Sequence, residues 1–129
     1  MQQKKKYKQE NFIVVNNGQG LCVIASKNIL FCEAYKTNCI FYLESGEKIT
    51  AARSLKFYEE KLKEWKFIEI HKSKLVNIEK IEKYDKGKNG MIVLSNQTEI
   101  PLAQKNKKEL IQRFTFSSIN PKREKEIAV

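Results

Sequence analysis

Short apolar runs separated by turn residues make up most of the chain, and their length and spacing predict strands. Residues 12–15 form the first run, closed by Asn16-Asn17-Gly18-Gln19-Gly20, which is turn chemistry. Runs at 21–26, 29–35, 39–43 and 48–51 follow. They are separated by Lys27-Asn28, Lys36-Thr37-Asn38 and Glu44-Ser45-Gly46-Glu47. Strand-length segments at intervals of roughly 8–12 residues, with turns between them, are an all-β pattern. One helix interrupts it. Ser54 stands at the N-cap, and Leu55, Tyr58, Leu62 and Trp65 fall at i, i+3, i+7 and i+10 as an apolar stripe. Glu59, Glu60, Lys61 and Lys63 make the solvated side.

Beyond the helix, residues 67–71 and 77–84 are expected as strands, and 85–90 as a loop. Residues 91–94 and 99–102 pair across Ser95-Asn96-Gln97. A last helix is expected over about 104–114, with Leu110, Ile111 and Phe114 buried and Lys105, Lys107, Lys108 and Arg113 on the other side. The pattern divides the chain into a basic flexible tail at 1–10, one folded domain at 11–114 and a solvated tail at 115–129. No internal repeat is visible.

Composition narrows the class. With 41% apolar and 31% charged residues the chain is globular, and 129 residues suit one domain with a modest core. A formal net charge of +10 and a pI near 9.5 point to an anionic partner, nucleic acid first. There is no run of 18 apolar residues, and the lysines at 4, 5, 6 and 8 do not lead into an unbroken apolar stretch. Neither a membrane span nor a signal peptide is expected, which suits a cytoplasmic protein. Cys22, Cys32 and Cys39 are odd in number and lack C-x-x-C spacing, so free thiols are expected rather than a disulfide framework.

Catalysis finds no footing. The single histidine, His71, and the single aspartate, Asp85, leave a triad without its parts, and His71 with three scattered cysteines is a poor metal set. No phosphate-binding glycine motif occurs. The chain reads as no enzyme, with no cofactor, metal or small-molecule substrate.

The densest chemistry lies in Phe67-Ile-Glu-Ile-His71-Lys72-Ser73-Lys74-Leu-Val76-Asn77-Ile78, an apolar strand giving way to a polar, cationic elbow. Together with Ile29-Leu-Phe-Cys-Glu-Ala34, the helix start at Ser54-Leu55 and the segment Ile100-Pro-Leu-Ala-Gln-Lys105, it resembles the LytTR family. These are DNA-binding output domains at the C-terminus of many bacterial response regulators. The resemblance runs over roughly residues 29–114. It implies a mainly β fold, an elongated set of small antiparallel sheets with one or two short helices. It also implies sequence-specific binding of double-stranded DNA for transcriptional regulation, with loops inserted into successive major grooves.

On that resemblance Lys72 and Lys105 match base-reading positions, and Asn38 falls near the first base-contacting loop. Ser73, Lys74, Lys107 and Lys108 are placed for phosphates, which position without specifying. His71 is expected to be a half-buried imidazole orienting the elbow, and Asn77 to satisfy backbone groups at a strand end. Lysine at 105, where arginine is more frequent, lacks the bidentate fork for guanine. A receiver domain would need an acidic cluster, and Asp85 is the only aspartate. The chain is therefore a stand-alone regulator or an excised domain. Paired repeat sites, a homodimer on DNA and a membrane or sensor protein as partner belong to the same picture.

Two other readings compete. A β-rich interaction module could dock an acidic or membrane partner without reading bases. A single-strand binder could stack bases on Phe41, Tyr42 and Phe67, although period-2 alternation turns Phe41 and Phe67 towards the core.

Overall fold

Strands with one apolar face must find a partner layer, and the chain supplies three sets that do so. A computed structural model describes residues 11–88 and 90–117. Strands β1 (Phe12–Asn16) and β2 (Leu21–Ala25) form a two-stranded ribbon. The central sheet has five strands: β3 (Ile29–Tyr35), β4 (Asn38–Leu43), β5 (Lys48–Ala51), β6 (Phe67–His71) and β7 (Lys74–Asn77), ordered β5-β4-β3-β7-β6. A third sheet, β10-β9-β8, is built from β8 (Ile81–Asp85), β9 (Met91–Leu94) and β10 (Glu99–Pro101). All pairings are antiparallel. Helix α1 (Leu55–Glu64) joins β5 to β6, and α2 (Gln104–Ser117) follows β10.

Two apolar clusters hold these layers together. The first joins Ile13, Val15 and Ile24 of the ribbon to Leu55, Tyr58 and Leu62 of α1 and to Cys39, Phe41 and Leu43 of β4. The second joins Ile68, Ile70 and Val76 of the central sheet to Ile81, Ile92, Leu94 and Ile100 of the third sheet and to Leu110 of α2. Strand β3 feeds both. Its register slips between Ile29 and Phe31, so the consecutive residues Leu30 and Phe31 both enter the second cluster while Ile29 and Cys32 enter the first.

Asn77 is the one buried polar or charged side chain among the described residues, 4% exposed. Its amide donates to the carbonyls of Ile29 at 3.0 Å and Ser26 at 3.3 Å, and its oxygen accepts from the Glu79 N–H at 3.0 Å. Three backbone groups at a crowded strand end are satisfied by one side chain, which explains an asparagine in a buried setting.

The expected strand over 77–84 is split. β7 ends at Asn77, a single 3₁₀ turn covers Ile78–Lys80, and β8 starts at Ile81, because the chain crosses here from the central to the third sheet. β7 instead begins at Lys74, and its consecutive buried Leu75, Val76 and Asn77 show no alternation, as befits a strand covered on both faces. In α2, Leu110 is buried as expected but Ile111 is 41% exposed. Trp65, the last of the expected stripe, lies one residue past α1 and is only half-buried. Phe41 and Phe67 are fully buried, and Tyr42 stacks on Phe31 with ring centroids 4.3 Å apart, so these rings form no open platform. The expected tail at 1–10 lies outside the described residues, as do residues 118–129 of the other; residues 115–117 belong to α2.

Replacing Asn77 with Ala should destabilise the protein by about 1–3 kcal/mol, the cost of leaving buried backbone groups unpaired. Denaturant unfolding of the two chains checks this, with the slope unchanged and the midpoint lowered. A loss below about 0.5 kcal/mol would mean that water replaces the amide at this site.

Candidate nucleic-acid interface

Antiparallel pairing decides which turns share an end of the central sheet. β3 pairs with β4 up to Tyr35↔Asn38, so the turn Lys36-Thr37 marks that end. β3 also pairs with β7 through Glu33↔Lys74, so the β6–β7 turn, Lys72-Ser73, emerges beside it. The Ala34 N–H donates to the Ser73 carbonyl at 2.8 Å and ties the elbow to β3 one step beyond the paired residues. The Ala103 N–H donates to the Ile70 carbonyl at 3.3 Å, which brings the start of α2 to the same end. There, too, lies the β5–α1 connection with Arg53, since Ala51 pairs with Cys39.

The structure thus brings Asn38, Lys72, Ser73, Lys74 and Lys105 to one rim. Lys72, Lys105 and Lys108 are exposed and make no ion pair among the described residues. Asn38 is half-buried, with the Thr37 hydroxyl donating to its side-chain oxygen at 3.5 Å. Lys107 is turned towards β8, its ammonium 5.3 Å from the centre of the Tyr84 ring, a cation–π contact. Lys108 lies one turn into α2.

Lys74 differs from the other cations. Its ammonium sits 3.3 Å from the Glu33 carboxylate, and both side chains are largely covered. The same carboxylate accepts from the Tyr42 hydroxyl at 3.0 Å. Burial first, and then that bond to Glu33, raises the Tyr42 phenol above its usual range. Lys74 is therefore committed to the sheet, whereas Lys72, two residues away on a two-residue turn, projects freely.

His71 owes its position to a bulge in β6. The register slips between Glu69 and His71, which puts His71 opposite Lys74 rather than on the alternate face. Its Nδ1 accepts from the Ser73 N–H at 3.3 Å and lies 3.2 Å from the Ser73 hydroxyl. Acceptance at Nδ1 requires the neutral ring, with the proton on Nε2. Burial, and then the Lys74 charge, lowers the pKa below the ordinary 6.5, against the opposite pull of Glu33 and Glu69.

Lys36 and Arg53 were not singled out in the sequence as site residues. Lys36 occupies the β3–β4 turn in the left-handed region, φ 55°, with its ammonium 5.3 Å from the Tyr35 ring centre. Lysine is no marker of that conformation, so the sequence carries little signal for it. The Arg53 guanidinium stacks 4.4 Å from the centre of the Phe57 ring. Its i, i+4 spacing to an aromatic just before a helix cap is a readable but weak cue. Cys39, next to this rim in sequence, is wholly buried. No group of three or more His, Cys, Asp or Glu side chains among the described residues could hold a metal ion, and no described helix is long and apolar enough to cross a membrane.

Because the folded pKa of His71 is depressed, the neutral ring is the form the fold favours. Its contribution to stability is fully present above about pH 6.5 and is lost as pH falls through the folded value. Following the His71 ring signals by NMR should give a midpoint below 6.5; a midpoint above it would contradict the Nδ1 bond to Ser73.

The family model of the LytTr DNA-binding domain matches residues 19–115, well over half of the chain and ten residues further towards the N-terminus than the resemblance seen in the sequence. No curated protein sequence matches the chain. Among solved structures, the chain is similar to the LytTr DNA-binding domain of a protein described as a methyl-accepting/DNA response regulator from Bacillus cereus. The TM-score is 0.66 at 19% identity, over 79% of this chain and 94% of that one. That likeness speaks for the fold, which here too is mostly antiparallel sheet with two helices. By the family match, this chain belongs to the LytTR family of DNA-binding domains.

Proposed function

We propose that the chain binds double-stranded DNA sequence-specifically and regulates transcription, presenting the rim of its central sheet to successive major grooves. The observation that carries this reading is the elbow itself. Lys72 is an exposed cation, with no ion pair among the described residues, on a two-residue turn whose backbone is anchored on both sides. A donor carried on a fixed turn at an exposed edge is what reading a base in a groove requires.

In this reading Lys72, Lys105 and Asn38 read bases, Lys72 and Lys105 donating to guanine acceptors and the Asn38 amide pairing with adenine. Ser73, Lys107 and Lys108 take phosphates, joined by Lys36 and Arg53 at the flank. Lys74, held by Glu33, sets the elbow rather than meeting phosphate. His71 fixes the turn through Ser73, and Asn77 anchors the strand behind it. Two copies on paired repeat sites would lengthen the contact along the duplex, and a membrane or sensor protein could control access to it. A regulator of this kind works in the cytoplasm beside the chromosome.

Selection from random duplexes, followed by titrations on selected and scrambled duplexes at two salt concentrations, tests the proposal. Lys72→Ala and Lys105→Ala should each cost roughly 1–3 kcal/mol on the selected site and relax preference at one base pair. Lys108→Ala should weaken all duplexes about equally and reduce the salt slope by about one unit. Affinity that is salt-sensitive but blind to sequence would instead favour an interaction module docking an acidic partner.

A further inference from the structure

The β1–β2 ribbon is apolar on both faces. Ile13, Val15 and Ile24 enter the first cluster, as alternation along a strand requires. The opposite face carries Phe12, Val14, Leu21 and Val23, exposed at 54%, 52%, 71% and 66%. Val14 stands directly across from Val23, and Phe12 and Leu21 follow two residues along on either side, so the four form one continuous patch. Four of the seven exposed large apolar side chains among the described residues are gathered here. Single exposed apolar residues need no explanation, whereas a contiguous patch marks a contact.

We infer that the outer face of this ribbon is the docking surface for a second copy of the chain, ribbon stacked on ribbon about a twofold axis. The charge pattern selects that occupant. Residues 11–26 contain no charged side chain in a chain where 31% of residues are charged and the net charge is +10. The net charge of +10 opposes the approach of two copies, and at the ribbon they can meet without opposing like charges. An acidic partner would find no cation on this face, and a lipid surface would find none to hold its headgroups. The segment 1–10 has four lysines and only Met1 and Tyr7 as large apolar residues, which is poor chemistry for covering the patch.

Area points to a conditional contact. Four partly exposed side chains offer on the order of a few hundred Å², against roughly 800 Å² per partner in a stable complex. Such a face associates weakly while the charges repel, and firmly once a polyanion neutralises them and holds two copies side by side. To that extent the inference rests on the DNA-binding reading.

Sedimentation equilibrium of the full chain tests it without DNA. Raising salt from about 0.1 M to about 1 M shortens the screening length from roughly 10 Å to roughly 3 Å, and should tighten a monomer–dimer equilibrium at least about tenfold. Leu21→Lys, which sets like charges in the patch, and Val23→Thr, which keeps the β-branched shape, should each weaken it about tenfold or more. Both positions are exposed, so thermal midpoints should match the parent chain. On selected duplexes bearing two sites, Leu21→Lys should remove cooperativity and leave single-site affinity unchanged. A chain that stays monomeric at every concentration and salt overturns the inference, as do variants that associate like the parent. A monomer that instead binds phosphatidylglycerol vesicles through this face overturns it in favour of lipid. Self-association without any duplex preference leaves this inference standing and removes the DNA reading; duplex preference without self-association does the reverse.

Discussion

Strand β3 is paired on both edges, with β4 on one side and β7 on the other, and the arrangement of the molecule follows from that constraint. Because both neighbours are antiparallel, the turn leaving β3 and the turn entering β7 have to emerge at the same end. The Ala34–Ser73 backbone bond then fixes the height of the elbow against β3, and the Ala103–Ile70 bond does the same for the entry to α2. The bulge in β3 serves the other requirement of a central strand, supplying apolar side chains to both layers from one short segment.

The two ends of the central sheet treat charge differently. At the far end the β4–β5 turn, the 3₁₀ turn after β7 and the β9–β10 turn meet through Glu44, which pairs with Lys80 at 2.9 Å and accepts from the Ser95 hydroxyl at 3.3 Å. The Lys80 ammonium holds the Glu44 carboxyl below the usual carboxylate range. Cation and anion are used there to clamp two sheets together. At the rim, Glu33 takes Lys74 and Asp85 accepts from the Gly87 N–H at 3.0 Å, while Lys72 and Lys105 are left without a described partner. Local pairing, more than total charge, separates the cations that build the sheet from those that stay exposed at its rim. In the proposed reading the net charge of +10 supplies attraction at long range, and the lysines without an ion pair among the described residues supply position.

Much of the fold was legible because period-2 alternation and turn residues mark strands of half-buried sheets. β1 to β5, β9 and α1 lie where those signals put them. The division between β7 and β8 was not legible, since Leu75, Val76, Asn77 and Ile78 are all buried and show no period. Only the transfer of the chain from one sheet to another explains the break. Lys72 and Lys105 stood out through the company they keep in the sequence, but the commitment of Lys74 to Glu33 did not. Those two residues are far apart in the chain, and register alone brings them together. The exposure of Phe12 and Val14 was hidden for a related reason: their run of four apolar residues looks the same whether one face of the ribbon is covered or both.

Backbone amide NMR during titration with a selected duplex would test the central claim most directly, because it reports on both ends of the sheet at once. The account predicts that residues 35–38, 71–74 and 103–108 shift together, while 44–47, 78–80 and 95–98 stay in place. Shifts concentrated at the Glu44 end, or along the exposed side of α1, would contradict it.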